Sequence, residues 1–219
     1  MKQRNYRYSG FTLAELLMAV WVMSIILAAV ATLSFVLGNA SDSADDTSEI
    51  QSRVRYTTMR LGGLVKNSKL ICANWGTSAA IWQADYDGDS QIDPNEIVYI
   101  ESGSSNNYIK LISFSPYPSA VVASFPGTPG SIQNGQARVW LTANCEETPV
   151  TLIDNCSYVN FTTDRTDPPW TFSKMLNISF GVSNNGSVEN YQISNYLRCQ
   201  AGYLLDDSGG QIDPNDDDI

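Results

Sequence analysis

A 22-residue apolar run from Leu16 to Leu37 constrains this chain more than any other feature. A helix over this run would be roughly 33 Å long at about 1.5 Å per residue, which is enough to cross the hydrocarbon core of a bilayer. The only polar interruptions are Ser24, Thr32 and Ser34. The run therefore predicts a membrane-spanning helix, and the rest of the chain has to fold on one side of it.

Charged residues are distributed unevenly around the apolar run. The only charges in the first ten residues are positive, so this end should stay in the cytoplasm while the chain beyond crosses outward. Glu15 lies at the cytoplasmic edge of the run, where an unpaired carboxylate would cost several kcal/mol. We therefore expect Glu15 to need a partner. The three basic residues are Lys2, Arg4 and Arg7.

Residues 10–15 read Gly-Phe-Thr-Leu-Ala-Glu. This string resembles the class III signal of type IV prepilins and type II secretion pseudopilins, in which a peptidase cuts between Gly and Phe. The resemblance implies a cleaved leader at residues 1–10, cleavage after Gly10, and Phe11 as the N-methylated mature terminus. It also implies that Glu15 pairs with the N-terminus of a neighbouring subunit, an ion pair that specifies assembly more than it stabilises it.

Two other interpretations of the N-terminus are a secretory signal peptide and an uncleaved signal anchor. Gly38-Asn39-Ala40 offers a small-residue cleavage site for the former. The apolar core of a signal peptide, however, usually has about 7 to 15 residues, which is shorter than this run. Neither alternative explains Glu15, so the prepilin interpretation is preferred.

Composition argues against several classes of function. The 219-residue chain has a formal net charge of −10, and loss of the basic leader would make it more negative. Such a charge disfavours nucleic acid and anionic membrane surfaces as partners. There is no histidine, which excludes histidine general bases, His-containing triads and His-ligated zinc. We expect no enzymatic activity, since an anchored hydrolase would need a nucleophile and a base that we do not find.

All four cysteines follow the apolar run, on the side of the membrane where oxidation is permitted. Four cysteines allow three connectivities. We favour a short-loop disulfide between Cys145 and Cys156 and a second disulfide between Cys72 and Cys199. Free buried thiols are the alternative. Zinc is less favoured, because no pair has the two-residue spacing typical of a four-thiolate site.

Helical periodicity returns after the apolar run. Ile50, Val54, Leu61 and Val65 are spaced by four, seven and four residues. We predict a helical region at 11–66, with its membrane part at about 11–37 and an amphipathic second half. Gly62-Gly63 either ends this helix or weakens it.

The remainder, residues 67–219, is predicted to form a β-rich globular head. The resemblance implies an α+β fold in which the long N-terminal helix packs on an antiparallel, pilin-like head. A terminal hairpin is expected around the Asn184-Asn185-Gly186-Ser187 turn. Surface loops are expected at 116–130 and around Trp170. The predicted strands are 97–100, 108–114, 137–142, 158–163, 176–182 and 188–197.

The segment 85–96 resembles an EF-hand calcium loop. Its oxygen ligands would fall at loop positions 1, 3, 5, 7, 9 and 12, a spacing that lets hard oxygens converge on calcium and lets the last acid bind bidentately. Ser90 stands where that loop normally has glycine, which predicts strain or weaker affinity. The flanks look like strands, so the loop would stabilise the head rather than open as a sensor. The predicted ligands are Asp85, Asp87, Asp89, the Gln91 carbonyl, Asp93 through a water, and Glu96.

The acidic residues at 85–96 and in the tail each allow an alternative interpretation. The segment 85–96 could instead be a solvated acidic turn, although its five carboxylates would repel one another without a cation. The tail 206–219 repeats part of the pattern in Gln211-Ile-Asp213-Pro-Asn215, but Leu205 stands at the first ligand position. We interpret it as an acidic tail, with a second weak cation site as the alternative.

The sequence thus predicts a structural minor pilin or pseudopilin, with J-type minor pseudopilins and W-type minor pilins as the nearest resemblance. By that resemblance, its partners are other subunits, a prepilin peptidase and an inner-membrane assembly platform with its ATPase. The chain would be single-pass in the inner membrane, with its N-terminus in the cytoplasm and its head in the periplasm, before it enters a filament. The alternative is a calcium-stabilised surface binding protein or adhesin that uses the pilin signal only for delivery.

Overall fold

The computed structural model describes residues 11–103, 105–115, 124–165, 170–184 and 186–198, apart from the side chain of Trp170. Two compact units are present, Met1–Glu49 and Ile50–Ile219. A single helix, α1 (Leu13–Asn67), contributes to both. Within the described residues it is the one helix long and apolar enough to cross a membrane, and its most apolar stretch has no side chain buried by the rest of the chain.

A capping box starts helix α1. The hydroxyl of Thr12 accepts a hydrogen bond from the Glu15 amide at 3.3 Å, and Glu15 Oε2 accepts one from the Thr12 amide at 3.0 Å. These reciprocal bonds satisfy two backbone donors that the first helical turn leaves open. The helix therefore begins where the sequence predicted, and Glu15 has a partner in its own chain.

The glycine pair predicted to end or weaken α1 does not end it. The helix continues to Asn67, and the hydroxyl of Ser68 then donates to the Leu64 carbonyl at 2.5 Å. At Gly62 a Cβ atom would lie 3.2 Å from the Asn195 side-chain nitrogen. Glycine at this position thus permits a close approach of the last strand to the helix.

In the described part of the second unit, eight strands form two antiparallel sheets. The first sheet has the order β1-β2-β3-β4-β5 and the second has the order β6-β7-β8. The Phe161 amide donates to the Gly76 carbonyl at 2.7 Å, which joins the edge of the second sheet to the β1–β2 turn. The strands of the first sheet are Leu70–Asn74, Ser78–Trp82, Ile97–Ser102, Ile109–Phe114 and Glu147–Ile153, and those of the second are Cys156–Thr163, Met175–Asn184 and Ser187–Tyr196.

Two apolar clusters cover the two faces of the first sheet. The first cluster joins this sheet to α1 and to the inner face of the second sheet, through residues such as Leu61, Ile100 and Phe180. The second cluster joins the other face to two short helices, α2 (Pro129–Gln133) and α3 (Gln136–Asn144). Strands β1 to β3 are therefore buried almost continuously, without the alternation of a strand that has one solvent face.

The fold class is confirmed: a long N-terminal helix is followed by antiparallel sheets. This layout is compatible with a pilin-like fold. The strands at 97–100, 108–114, 158–163 and 176–182 and the terminal hairpin are present, although Asn185 in its turn lies outside the described residues. Strands β1 and β5 were not predicted, and β2 was predicted only at its end, through the strand-like flank before the loop at 85–96.

The predicted strand at 137–142 is wrong, because these residues form most of helix α3. Gly135 adopts a φ of 76° at the start of this helix, a conformation that glycine adopts without strain. Ala137 and Leu141, four residues apart, are both buried on one helical face. Two β-forming residues, Val139 and Trp140, had favoured a strand, and the burial of Ala137 and Leu141 in the second cluster overrides that preference.

The two predicted loops are partly tested. Residues 116–123 of the loop at 116–130 lie outside the described residues, and its end at Pro129-Gly130 begins α2. Trp170–Phe172 forms a short 3-10 turn. The acidic tail at 206–219 also lies outside the described residues.

Candidate functional site

The predicted calcium loop connects β2 to β3 and therefore lies between strands, as its flanking residues indicated. Asp85, Asp87 and Asp89 each bring a carboxylate oxygen within 4.8 Å of the others. The first three predicted ligands thus converge in the folded chain. A group of three carboxylates offers the hard oxygen donors that calcium prefers.

Side chain to backbone hydrogen bonds shape this loop. Asp85 Oδ1 accepts from the Gly88 amide at 2.8 Å, and Asp89 Oδ1 accepts from the Gln91 amide at 2.8 Å. Ser90 has a φ of 59°, so a residue with a Cβ adopts the left-handed turn where an EF-hand loop places glycine. The expected sharp turn is present, and Ser90 supplies it under strain.

A lysine that the sequence analysis missed contacts the first carboxylate. Lys69 Nζ lies 3.1 Å from Asp85 Oδ2, and the Asp85 side chain exposes only 6% of its surface. Burial raises the pKa of Asp85, but the Lys69 ion pair and the Gly88 amide outweigh it, so the net shift is downward. Lys69 also lies 5.1 Å from the centre of the Trp82 ring. Asp85 is thus held ionised by an internal cation at the edge of the cluster.

Glu96, the predicted twelfth-position ligand, is a buried hydrogen-bond acceptor beneath the loop. It is 1% exposed, and Oε1 accepts from the Tyr86 amide at 2.5 Å. Oε2 accepts from Trp82 Nε1 at 3.1 Å and from the Asp93 amide at 3.2 Å. In this conformation both oxygens are bonded to the protein, so Glu96 organises the loop from below. Its bidentate binding of calcium stays a prediction.

The two remaining predicted ligands differ in their surroundings. Gln91 is exposed, whereas Asp93 is half-buried. Burial raises the pKa of Asp93, and the negative charges of the three clustered aspartates raise it further. This mutual repulsion is the electrostatic cost that a bound cation would relieve.

The predicted assembly site is only partly described. Gly10 lies outside the described residues, whereas Phe11 and Glu15 lie at the start of α1 and are exposed. Glu15 Oε2 accepts from both the amide and the hydroxyl of Thr12, at 3.0 and 2.9 Å. Because both bonds end on Oε2, the second oxygen, Oε1, remains available to a further donor.

The cysteine pairing predicted from the sequence is wrong for Cys145 and Cys156. Both are buried free thiols, as is Cys72, and Cys199 lies outside the described residues. Cys145 follows α3 in the second apolar cluster, whereas Cys156 begins β6 in the first cluster. The first sheet separates these two clusters, so a short distance along the chain does not bring the two sulfur atoms together.

These thiols should react slowly in the folded protein. Burial raises the pKa of Cys72 to about 12 and that of Cys156 to about 11, which suppresses the reactive thiolate. We expect iodoacetamide to modify Cys72, Cys145 and Cys156 in denatured, non-reduced protein but not in folded protein, as read by peptide mass spectrometry. Peptides of Cys145 and Cys156 that stay linked after denaturation would contradict the structure.

Comparisons with protein-family models, with curated proteins and with solved structures returned no match for this chain.

Proposed function

We propose that this chain is a structural subunit of a type IV pilus or type II secretion filament, a minor pilin or pseudopilin that assembles through its N-terminal helix. The observation that carries the proposal is the apolar half of α1. Its side chains are exposed, and the same helix continues until its later residues enter the core of the head. Apolar surface of this extent requires lipid or neighbouring helices around it.

The N-terminal helix would insert in the inner membrane with its basic end in the cytoplasm and its head in the periplasm. A prepilin peptidase would cut after Gly10 and methylate Phe11. An inner-membrane platform would then add the subunit to the filament. These steps rest on the resemblance of residues 10–15.

The capping box refines the proposed role of Glu15. A neighbouring α-amino group can approach Oε1 while Oε2 keeps its two bonds from Thr12. Assembly would then add a charged partner to a carboxylate that is already oriented by its own helix. The cost of burying this group in a helix bundle would fall accordingly.

Mass spectrometry of sheared filaments tests the proposal. We expect the N-terminal peptide to begin at N-methylated Phe11. A terminus at Met1 or Ser41 would instead indicate a signal anchor or a secreted protein, and would overturn the filament proposal.

A pair of variants separates the charge of Glu15 from its capping role. Glu15→Leu should be processed normally but be lost from the filament fraction. Thr12→Ala removes the hydroxyl that links the two residues and keeps the charge, so it should still enter filaments. Equal losses for the two variants would mean that Glu15 acts only as a helix cap.

We further propose that the loop at 85–96 binds calcium and thereby stabilises the head. Asp85, Asp87 and Asp89 would hold the ion, with the Gln91 carbonyl and Asp93 as further oxygen donors. The bound charge would offset the repulsion among these carboxylates.

Calcium should therefore raise the stability of chelator-treated full-length protein in detergent, by about 2.7 kcal/mol at a hundredfold excess over Kd. Thermal unfolding should show an increase in Tm with calcium that exceeds the increase with magnesium. The double variant Asp87→Asn/Asp89→Asn should lose most of this increase, whereas Asp45→Asn on the exposed surface of α1 should keep it. If the double variant keeps the full increase in Tm, calcium stabilises the protein from another site and the proposal for this loop fails.

A further inference from the structure

The outer face of the second sheet is the part of the head that the filament and calcium proposals leave without a role. We define this face by the side chains of β6, β7 and β8 that point away from the first cluster. They form three rows across the strands, set by the pairing register, with further residues at each end. The rows are Thr162–Asn177–Ser194, Asn160–Ser179–Gln192 and Tyr158–Gly181–Asn190, and the end residues are Met175, Ser183, Val188 and Tyr196.

This face has an unusual chemistry for so acidic a chain. The protein has 23 acidic and 13 basic residues, yet no residue of the three rows is charged. One acid lies at an end of the face, where Asp164 Oδ1 accepts a hydrogen bond from the Met175 amide at 3.3 Å. Glu189 is the one acid within β8. Like Tyr191, it lies on the opposite face of the sheet, where its Oε2 accepts a hydrogen bond from the Tyr191 hydroxyl. The outer face thus presents amides, hydroxyl groups and tyrosine rings, which both donate and accept hydrogen bonds.

Hydrogen bonds between strands hold several of these side chains in place. Asn177 Nδ2 donates to the Thr162 hydroxyl at 3.0 Å, and the Ser194 hydroxyl donates to Asn177 Oδ1 at 2.9 Å. The first row is therefore linked across all three strands. Groups that are oriented before binding lose less conformational entropy when a ligand arrives.

One tyrosine ring lies across the sheet. Tyr158 is on β6, its hydroxyl donates to Asn190 Oδ1 on β8 at 3.2 Å, and Gly181 lies between them on β7. A Cβ atom at Gly181 would be only 2.7 Å from Tyr158 Cε1. Glycine thus makes room for the ring, and Tyr158 remains 38% exposed. The exposed part of the ring can contact a ligand.

A second exposed ring lies further along the sheet. Tyr196 is 65% exposed and is six residues beyond Asn190 on β8, about 20 Å at the usual rise of a strand. The polar rows lie between the two rings. The arrangement is a flat strip with an aromatic ring toward each end and hydrogen-bonding groups between them.

We propose that the outer face of the second sheet binds a neutral polysaccharide chain. Sugar rings expose C–H faces that stack on aromatic rings, and their hydroxyl groups pair with amide and hydroxyl side chains. The three rows carry no charge, which matches a neutral polymer and gives no ion pairs to an anionic one. The face also lacks the apolar centre that characterises stable protein interfaces. This inference does not depend on filament assembly.

Affinity electrophoresis of the full-length protein in detergent tests the proposal, with hydroxyethyl cellulose, xylan, mannan and dextran as neutral probes and dextran sulfate as the charged probe. We expect retardation by at least one neutral polymer and none by dextran sulfate. Tyr196→Ala, at an exposed position, should weaken binding about tenfold with unchanged Tm. Tyr158→Ala should weaken it further, and Tyr56→Ala, an exposed tyrosine on α1, should bind like wild type.

Two results would overturn the proposal. One is that no neutral polymer retards the wild-type protein. The other is that Tyr196→Ala binds as tightly as wild type. If sedimentation instead shows self-association that Tyr196→Ala abolishes, without binding of any polymer, the strip is a contact between copies of this chain and the polysaccharide proposal fails.

Discussion

Replacing Glu96 with alanine is expected to lower the free energy of unfolding by about 3–5 kcal/mol. The carboxylate accepts three hydrogen bonds, from Trp82 Nε1 and from the amides of Tyr86 and Asp93. Removing it leaves these donors unsatisfied at a site where Glu96 is 1% exposed. Each unsatisfied buried donor costs about 1–3 kcal/mol, although the three costs are not fully additive.

Urea denaturation of the full-length protein in detergent, followed by tryptophan fluorescence and performed without calcium, measures this effect. Glu146→Ala is the matched control, because Glu146 is an exposed glutamate in the same head and its removal should change stability by less than about 0.5 kcal/mol. Glu96→Gln should lie between the two, since an amide oxygen can still accept. Equal stability of Glu96→Ala and Glu146→Ala would refute the buried-acceptor role.

Leu61→Ala should destabilise the head by about 2–5 kcal/mol, because the leucine side chain is fully buried in the first cluster. The leucine comes from α1 rather than from a strand. The experiment therefore asks whether the second part of the N-terminal helix belongs to the folding unit of the head. The same denaturation measurement applies, with the midpoint expected to fall.

Met59→Ala provides the control on the same helix. Met59 is 62% exposed and lies two residues before Leu61 on a different helical face. Its replacement should change the free energy of unfolding by less than about 0.5 kcal/mol. A loss at Leu61 no larger than that at Met59 would show that the helix is dispensable to the core of the head.

The sequence predicted those elements whose signal is local. Residues 10–15 placed the start of the helix, and Thr12 and Glu15 then form the capping box that such spacing favours. The alternation of Leu176, Ile178 and Phe180 predicted β7, since one face of that strand is buried and the other is open. The loop at 85–96 was placed correctly between strands.

The features that were missed depend on contacts between distant residues. Strand β1 is buried along its whole length, so it shows no alternation by which a strand could be identified. Helix α3 contains β-forming residues. It becomes helical because Ala137 and Leu141, on one of its faces, are buried in the second cluster. The ion pair of Lys69 with Asp85 and the burial of Glu96 arise only once β1, β2 and β3 are side by side.

The covering of the first sheet on both faces has a consequence for how this protein can change over evolution. A residue of β1 or β3 contacts neighbours whichever way its side chain points, so nearly every substitution there alters packing. Every second residue of β8, in contrast, meets solvent. Mutational drift should therefore be slow across the central strands and fast on the last strand, so new binding preferences can arise there without loss of the fold.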